Sequence, residues 1–355
     1  MARPEQTLIQ AAPALRRALL AWFAQHQRSM PWRSKPTAYR TVVSELMCQQ
    51  TQIATVIPYF ERWVKIWPDF KALAKADEAA VLKLWAGLGY YSRARNLLGL
   101  AKQVAALPEP PRTAAEWQEF KGVGPYTAAA IASIAYGEPV AVVDGNVVRV
   151  LSRLAGHRAQ LKDAASATKQ FTGLADALVD PKQPGDFNQA MMELGALVCR
   201  KAAPDCAKCP VAKWCDARQQ GDAEKIPRFV SKARQTAVVE RALVVRSGKL
   251  LLRRYGQDSR RLVGMAEIPE MVSLGIKPSG EPTLVRRRTI GTISYEERLH
   301  IVAAAAESLR RWTSDTELEW VATKTLEQAA LTGPHLRWLR EWLSLSGPKV
   351  RGRRP

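Results

Sequence analysis

Phe120-Lys121-Gly122-Val123-Gly124-Pro125-Tyr126-Thr127-Ala128 is the stretch on which the reading of the chain turns, with the apolar run 139–143 and Asp144 close behind it. Two glycines around one valine allow a tight turn that presents backbone amides. Pro125 suits the first position of a helix, since its fixed φ is helical and its missing N–H is not needed there. Amides at a helix N-terminus with no side chain in front of them form an anion site. Taken alone, the same residues also fit a helix–turn–helix link that only packs, so the surrounding chain has to decide.

The chain has 355 residues, 47% of them hydrophobic, which is enough for two domains with separate cores. Its formal net charge is +20 and its isoelectric point about 10.0, a balance that points to a polyanionic partner, most simply nucleic acid. No apolar run reaches the roughly 18–20 residues of a membrane helix. Glu5, Arg16 and Arg17 stand where an export signal needs an unbroken apolar core. The expectation is an intracellular protein with reduced thiols and no membrane association.

Working outward from the opening stretch, the first 200 residues read as short helices. Residues 1–12 read as a loose start. Pro13 opens a helix with Leu15, Leu19, Trp22 and Phe23 on one face, and Met30-Pro31-Trp32-Arg33 breaks it. A second helix over 37–50 places Glu45 among Val42, Val43, Leu46 and Met47. Helices over 51–66 (with Pro58 as a break or kink) and 76–85 lead to the turn Gly87-Leu88-Gly89-Tyr90-Tyr91, after which Ser92 caps a helix to about 105. The hairpin helices start at Thr113 and Pro125. Asp144 caps a helix over 145–155, and two more follow over 164–178 and 186–198. Beyond the linker-like Gln219-Gln220-Gly221-Asp222 the pattern becomes mixed. Strands are expected over 237–245, 249–254, 289–294 and 317–321, and helices over 301–312 and 334–345, before the basic tail 347–355.

Cys199, Cys206, Cys209 and Cys215 have the spacing C-x6-C-x2-C-x5-C. Four close thiols in a reduced compartment indicate a metal centre rather than disulfides. Spacing leaves both zinc and a [4Fe–4S] cluster open. Cys48, on the Glu45 helix, reads as a small core residue.

The pieces now assembled resemble the helix–hairpin–helix DNA glycosylases, and more narrowly the MutY-type adenine DNA glycosylases. The resemblance is carried by Pro31-Trp32-Arg33, the run from Ser44 to Gln52, Gly87-Leu88-Gly89-Tyr90-Tyr91-Ser92-Arg93, the hairpin from Gly122 to Ala128, Val143-Asp144-Gly145-Asn146-Val147 and the four-cysteine loop, in the family's order. It implies that Cys199, Cys206, Cys209 and Cys215 hold [4Fe–4S]. Endonuclease III-type relatives have a lysine where this chain has Tyr126, and that amine forms a Schiff base leading to strand cleavage. Tyrosine cannot, so a monofunctional enzyme is expected.

Release of a base from deoxyribose needs one neutral acid to protonate the leaving group and one ionised carboxylate beside the developing sugar cation. Apolar neighbours favour the protonated acid at Glu45, while the start of a helix favours the ionised form at Asp144. The family pattern makes the same assignment and adds Tyr126 and Asn146 as supports. It further implies DNA and base contacts at Arg33, Gln50, Thr51, Leu88, Tyr90, Gly122, Val123 and Gly124, with Gln50, Leu88 and Tyr90 as wedges that fill the space of a flipped base.

The resulting expectation is a mainly α helix–hairpin–helix domain with a cluster loop over 1–218, a linker over 219–234, a smaller α/β Nudix-like lesion-recognition domain over 235–346 and a tail over 347–355. Arg261-Leu262-Val263-Gly264-Met265-Ala266-Glu267-Ile268-Pro269 resembles a segment of that second domain, with Ala266 in place of the usual tryptophan. Ile293-Ser294-Tyr295 stands where the family reads 8-oxoguanine through Phe-Ser-His, leaving Ser294 as the contact. Arg286, Arg287 and Arg288 fit either phosphate contacts or a solvated charge run. The partner implied is double-stranded DNA carrying adenine opposite 8-oxoguanine or guanine, bound by a bacterial, cytoplasmic, nucleoid-associated monomer. An endonuclease III-like enzyme acting on damaged pyrimidines and a non-catalytic DNA-binding protein are the competing readings; Tyr126 and the second domain oppose the first, and the pair Glu45 and Asp144 the second.

Overall fold

The structure is a computed structural model that describes residues 3–230, 235–256, 259 and 264–346. Residues 231–234 of the expected linker, Arg261, Leu262 and Val263, and the tail 347–355 lie outside the described residues. The chain divides into two compact units, Met1–Val230 and Ser231–Pro355.

The first unit is helical and has two main apolar clusters. One is built from residues between 38 and 132 and contains Trp63, Trp85 and Trp117, each fully buried. The other joins the N-terminal helices to the stretch from 141 to 226. Residues 3–10 are not a loose start. They form the helix Arg3–Gln10, and Leu8 is buried in the second cluster at 2% exposure, enough apolar burial to order an otherwise polar segment. Pro58 sits inside the continuous helix Ile53–Ile66. Ser92 is the first residue of Ser92–Ala105 and not its cap, a position taken by Tyr91 without a side-chain bond.

The hairpin forms as its sequence requires. Thr113 and Glu116 make a reciprocal capping box at Ala114–Gln118, and Pro125 is the first residue of Pro125–Tyr136. Gly122 has φ +90°, and a Cβ there would lie 2.9 Å from the Asn96 Cβ, so glycine is required on both counts. The extended run 139–143 that follows is held by side chains. Asn188 accepts from the Val142 amide at 3.0 Å and donates to the Val140 carbonyl at 2.8 Å, and Asp176 accepts from the Ala141 amide at 3.0 Å. This run carries the chain from one cluster to the other and delivers Asp144 to the seam between them.

Residues 219–230, expected as linker, are built into this unit. Ile226 is buried, and Arg228–Phe229 pairs in parallel with Gln160–Leu161. The second unit is mixed α/β. Gln235–Leu243 runs parallel to Ile293–Ile301, which is antiparallel to Leu284–Ile290. Lys249–Arg254 pairs with Val245–Arg246, Ala266–Glu267 and Leu318–Ala322. The strand expected over 289–294 falls on two strands: residues 289–290 end Leu284–Ile290, residues 293–294 begin Ile293–Ile301, and a turn at 291–292 joins them, with Gly291 at φ +61°. The helix expected over 301–312 starts at Ala306, because Ile301 still belongs to a strand. Arg286, Arg287 and Arg288 are ion-paired with Glu341, Glu296 and Glu297. Among the described residues no helix is long and apolar enough to cross a membrane.

Candidate active site

The helices Ala38–Cys48, Pro125–Tyr136 and Ala164–Leu178, with Asp144 at the cap of Gly145–Leu154, line an open cavity of about 700 Å³ that includes Glu45, Cys48, Tyr126, Asp144 and Lys169. The two carboxylates are brought to one cavity from opposite apolar clusters. Glu45 is held at an elevated pKa of about 7, chiefly by burial; the Asp144 charge adds to this, while the Tyr126 hydroxyl and Arg33 act against it. Asp144 Oδ1 accepts the Val147 amide at 2.7 Å, and its Oδ2 accepts Asn146 Nδ2 at 2.8 Å. Both partners donate to the carboxylate, so each of its oxygens has a fixed hydrogen-bond partner. Tyr126 is pushed well above the ordinary phenol range by burial and by the charges of Glu45 and Asp144, and its hydroxyl lies 3.4 Å from Met192 Sδ. It is a neutral phenol that presents no amine to the cavity.

Asn146 is itself fixed. Arg149 Nη2 donates to Asn146 Oδ1 at 2.8 Å and to the Gly195 carbonyl at 2.7 Å. A Cβ on Gly195 would lie 2.6 Å from the Asn146 Cβ, so this close approach needs glycine.

Glu45 also borders a second cavity of about 410 Å³, lined by Trp32, Arg33, Ser44, Gln189 and Met192. Arg33 donates from Nε to Gln189 Oε1 at 2.9 Å and from Nη1 to Glu193 Oε1 at 3.0 Å. Glu193, 1% exposed, would be raised by burial, but its hydrogen bonds to Arg28 and Arg33 outweigh this and hold it below the usual carboxylate range. Arg33 is thus largely an interior residue beside Glu45. Glu193, Gln189 and Met192 are site residues that sequence reading missed. They lie some 150 residues downstream, and only the packing of Pro184–Leu197 brings them to Arg33. Cys48 is not simply core: it lines the larger cavity, and burial followed by the nearby Glu45 charge pushes its thiol up to about 12.

Of the wedge candidates, Tyr90 is 61% exposed and Gln50 is exposed, but Leu88 is a core residue at 5%. In the hairpin, the Val123 side chain is buried at 6% and its amide donates to the Phe120 carbonyl at 3.1 Å. Gly122 and Gly124 are exposed. Ser294 is the second residue of the strand Ile293–Ile301, opposite Thr236 and Thr289.

Cys199, Cys206, Cys209 and Cys215 line one small cavity and form no disulfide. Among the described residues no three His, Cys, Asp or Glu side chains converge closely enough to hold a single ion. Arg153, 1% exposed, donates from Nη1 to Cys199 Sγ at 3.2 Å and to the Arg200 carbonyl at 2.7 Å.

Residues 43–174 match the family described as HhH-GPD superfamily base excision DNA repair protein. The adenine DNA glycosylase of Mycolicibacterium smegmatis is 37% identical over 224 residues, covering 61% of this chain and 75% of the relative. The chain belongs to the adenine DNA glycosylase family. The human adenine DNA glycosylase is 46% identical over 250 residues, 63% of this chain, although the chain spans only 45% of that relative's length. A solved structure of a thermostable thymine-DNA glycosylase, 25% identical, superposes with a TM-score of 0.52 over 59% of this chain and 98% of its own. For this family member the helical unit is therefore the part that shares the superfamily fold.

Proposed function

We propose that the chain is a monofunctional adenine DNA glycosylase that hydrolyses the N-glycosidic bond of adenine opposite 8-oxoguanine or guanine in double-stranded DNA, acting as a monomer. The observation that carries the reading is the pair of unlike carboxylates on one cavity, Glu45 at about 7 and Asp144 under two N–H donors. Glu45 protonates the leaving base, and Asp144 stabilises or traps the sugar cation left behind. The smaller cavity, lined by Trp32, Arg33 and Gln189, offers a polar site beside Glu45 large enough to take a purine base. Tyr126 supports base release without strand cleavage, because it has no amine to form a Schiff base. The exposed hairpin around Gly122 and Gly124 serves as a phosphate contact, and Tyr90, Gln50 and Thr51 act at the duplex.

Cys199, Cys206, Cys209 and Cys215 are assigned to a [4Fe–4S] cluster. The four thiols line one cavity and a buried arginine donates to Cys199, which is compatible with their holding a cluster. When bound, the cluster supplies four iron–thiolate links that tie the loop together. The second unit is read as a Nudix-like recognition domain with Ser294 toward the lesion, and the protein as a cytoplasmic, nucleoid-associated bacterial one.

The test uses duplexes carrying adenine opposite 8-oxoguanine, adenine opposite thymine, or an oxidised pyrimidine, each with and without hot alkali. Cleavage of the first alone, and only after alkali, is expected. Direct cleavage of the pyrimidine duplex would overturn the reading in favour of an endonuclease III-like activity.

A further inference from the structure

Two exposed loops meet at one buried cation. Arg93, in the first turn of Ser92–Ala105, is 7% exposed. Its Nη1 donates to the carbonyls of Leu46 at 2.7 Å and Met47 at 3.1 Å, and to that of Gln49, all at the C-terminal end of the Glu45 helix. Its Nη2 donates to the carbonyls of Leu88 at 2.9 Å and Gly89 at 3.1 Å, and reaches Thr51 Oγ1 at 3.4 Å. The guanidinium lies 5.4 Å from the ring centres of both Tyr90 and Trp85, and Trp85 Nε1 donates to the Gly89 carbonyl at 3.0 Å. The last carbonyls of a helix have no partner within it, so a buried helix end needs an outside donor. Here the donor that serves the helix end serves the neighbouring loop as well.

What these carbonyls flank is unusual. Gln50 has φ +54° and Tyr90 has φ +48°, left-handed conformations that residues other than glycine adopt only when their surroundings impose them. Tyr90 is 61% exposed, so core packing does not impose this one. The hydrogen bonds that precede each tip do. A planar fork of donors reaches both loops at once, which the point charge of a lysine does not.

We infer that Arg93 is a positioning residue that fixes the Gln50 tip relative to the Tyr90 tip, so that both enter the duplex together when the base is extruded. This rests on the reading of the chain as a base-flipping glycosylase. Arg93 touches no substrate itself; it sets the spacing of the two residues that do.

The test compares wild type with Arg93→Lys and Arg93→Gln on a duplex with adenine opposite 8-oxoguanine and 2-aminopurine next to that adenine. The 2-aminopurine brightens when its neighbour leaves the stack. Fluorescence rise is normalised to the protein bound to duplex in the same sample, which removes any misfolded fraction, and single-turnover base release is measured in parallel. Both variants should lose most of the fluorescence rise and release base about 10²-fold more slowly, as expected for misplaced groups far from the chemistry. Duplex affinity should change much less. An intact fluorescence rise overturns the role of Arg93 whether release is slowed or not, because the defect would then lie at Glu45 or nowhere. A wild-type protein with neither a fluorescence rise nor base release overturns the glycosylase reading and this role together; base release by wild type with unaffected variants overturns this role alone.

Discussion

Glu45 and Asp144 carry the same functional group in opposite surroundings. Burial favours the protonated form of Glu45, whereas Asp144 accepts from two N–H donors. Changing Glu45→Gln removes the transferable proton, and single-turnover release should fall by about 10²–10⁴-fold. In the wild-type protein the rate should decline as the pH rises through about 7, where Glu45 loses its proton, and that limb should vanish in the variant. The same shift has a stability sign. A carboxyl whose pKa is raised on folding binds its proton more tightly in the native state. Its stabilisation is fully present below the ordinary value of 4.5 and is lost as the pH rises through about 7. Thermal melts should therefore show Glu45→Gln gaining on wild type at pH 8 relative to pH 5; an equal difference at both would contradict the burial argument. Asp144→Asn keeps the size and an acceptor but not the charge. It should abolish base release while leaving duplex affinity largely intact, and wild-type turnover in that variant would sink the assignment.

At the scale of elements, the hairpin and the tryptophan cluster bear different loads. Gly122 combines φ +90° with a 2.9 Å approach to Asn96, so Gly122→Ala should cost about 1–3 kcal/mol in urea unfolding. It should also weaken duplex binding, since the turn presents the amides. Trp63 bears on stability alone. It is fully buried, packs edge-on against Trp67 and Trp85, and donates to Tyr39 Oη at 3.1 Å. Trp63→Ala should destabilise by about 3–5 kcal/mol, with the release rate of the remaining folded protein little changed.

For the whole molecule the governing quantity is the net charge of +20. Binding to any duplex, matched or mismatched, should weaken steeply with salt, because each phosphate neutralised by a cation contributes about 0.9 to the slope of log K against log salt. Lys121, exposed on the hairpin, is one such cation, and Lys121→Ala should reduce the slope by about one without changing which mispair is preferred. A slope near zero would mean that the charge serves solubility rather than binding.

What the chain showed about its individual candidate residues was local. Glu45 announces itself as a carboxylate on an apolar face, Asp144 as a cap and the cysteines by spacing, and each keeps its character wherever the fold puts it. What lies between such residues was not legible. Glu193 and Gln189 read as ordinary polar positions of a helix until that helix packs on Arg33. Leu88 in a Gly-rich turn reads the same whether it points to solvent or, as it does, into the core. Arg93 resembles any cation in a first helical turn, although it binds the carbonyls of two loops. The single strand expected over 289–294 is the meeting of two strand ends, because Gly291, with its positive φ, makes the turn between them. By itself the sequence determined which groups could act and the helical elements that carry them, since propensity, capping and spacing are properties of neighbours. Only the tertiary structure decided which groups share a cavity and which are buried, and hence that the Glu45 carboxyl is pushed up in pKa, since desolvation and long-range hydrogen bonds arise only when distant segments pack.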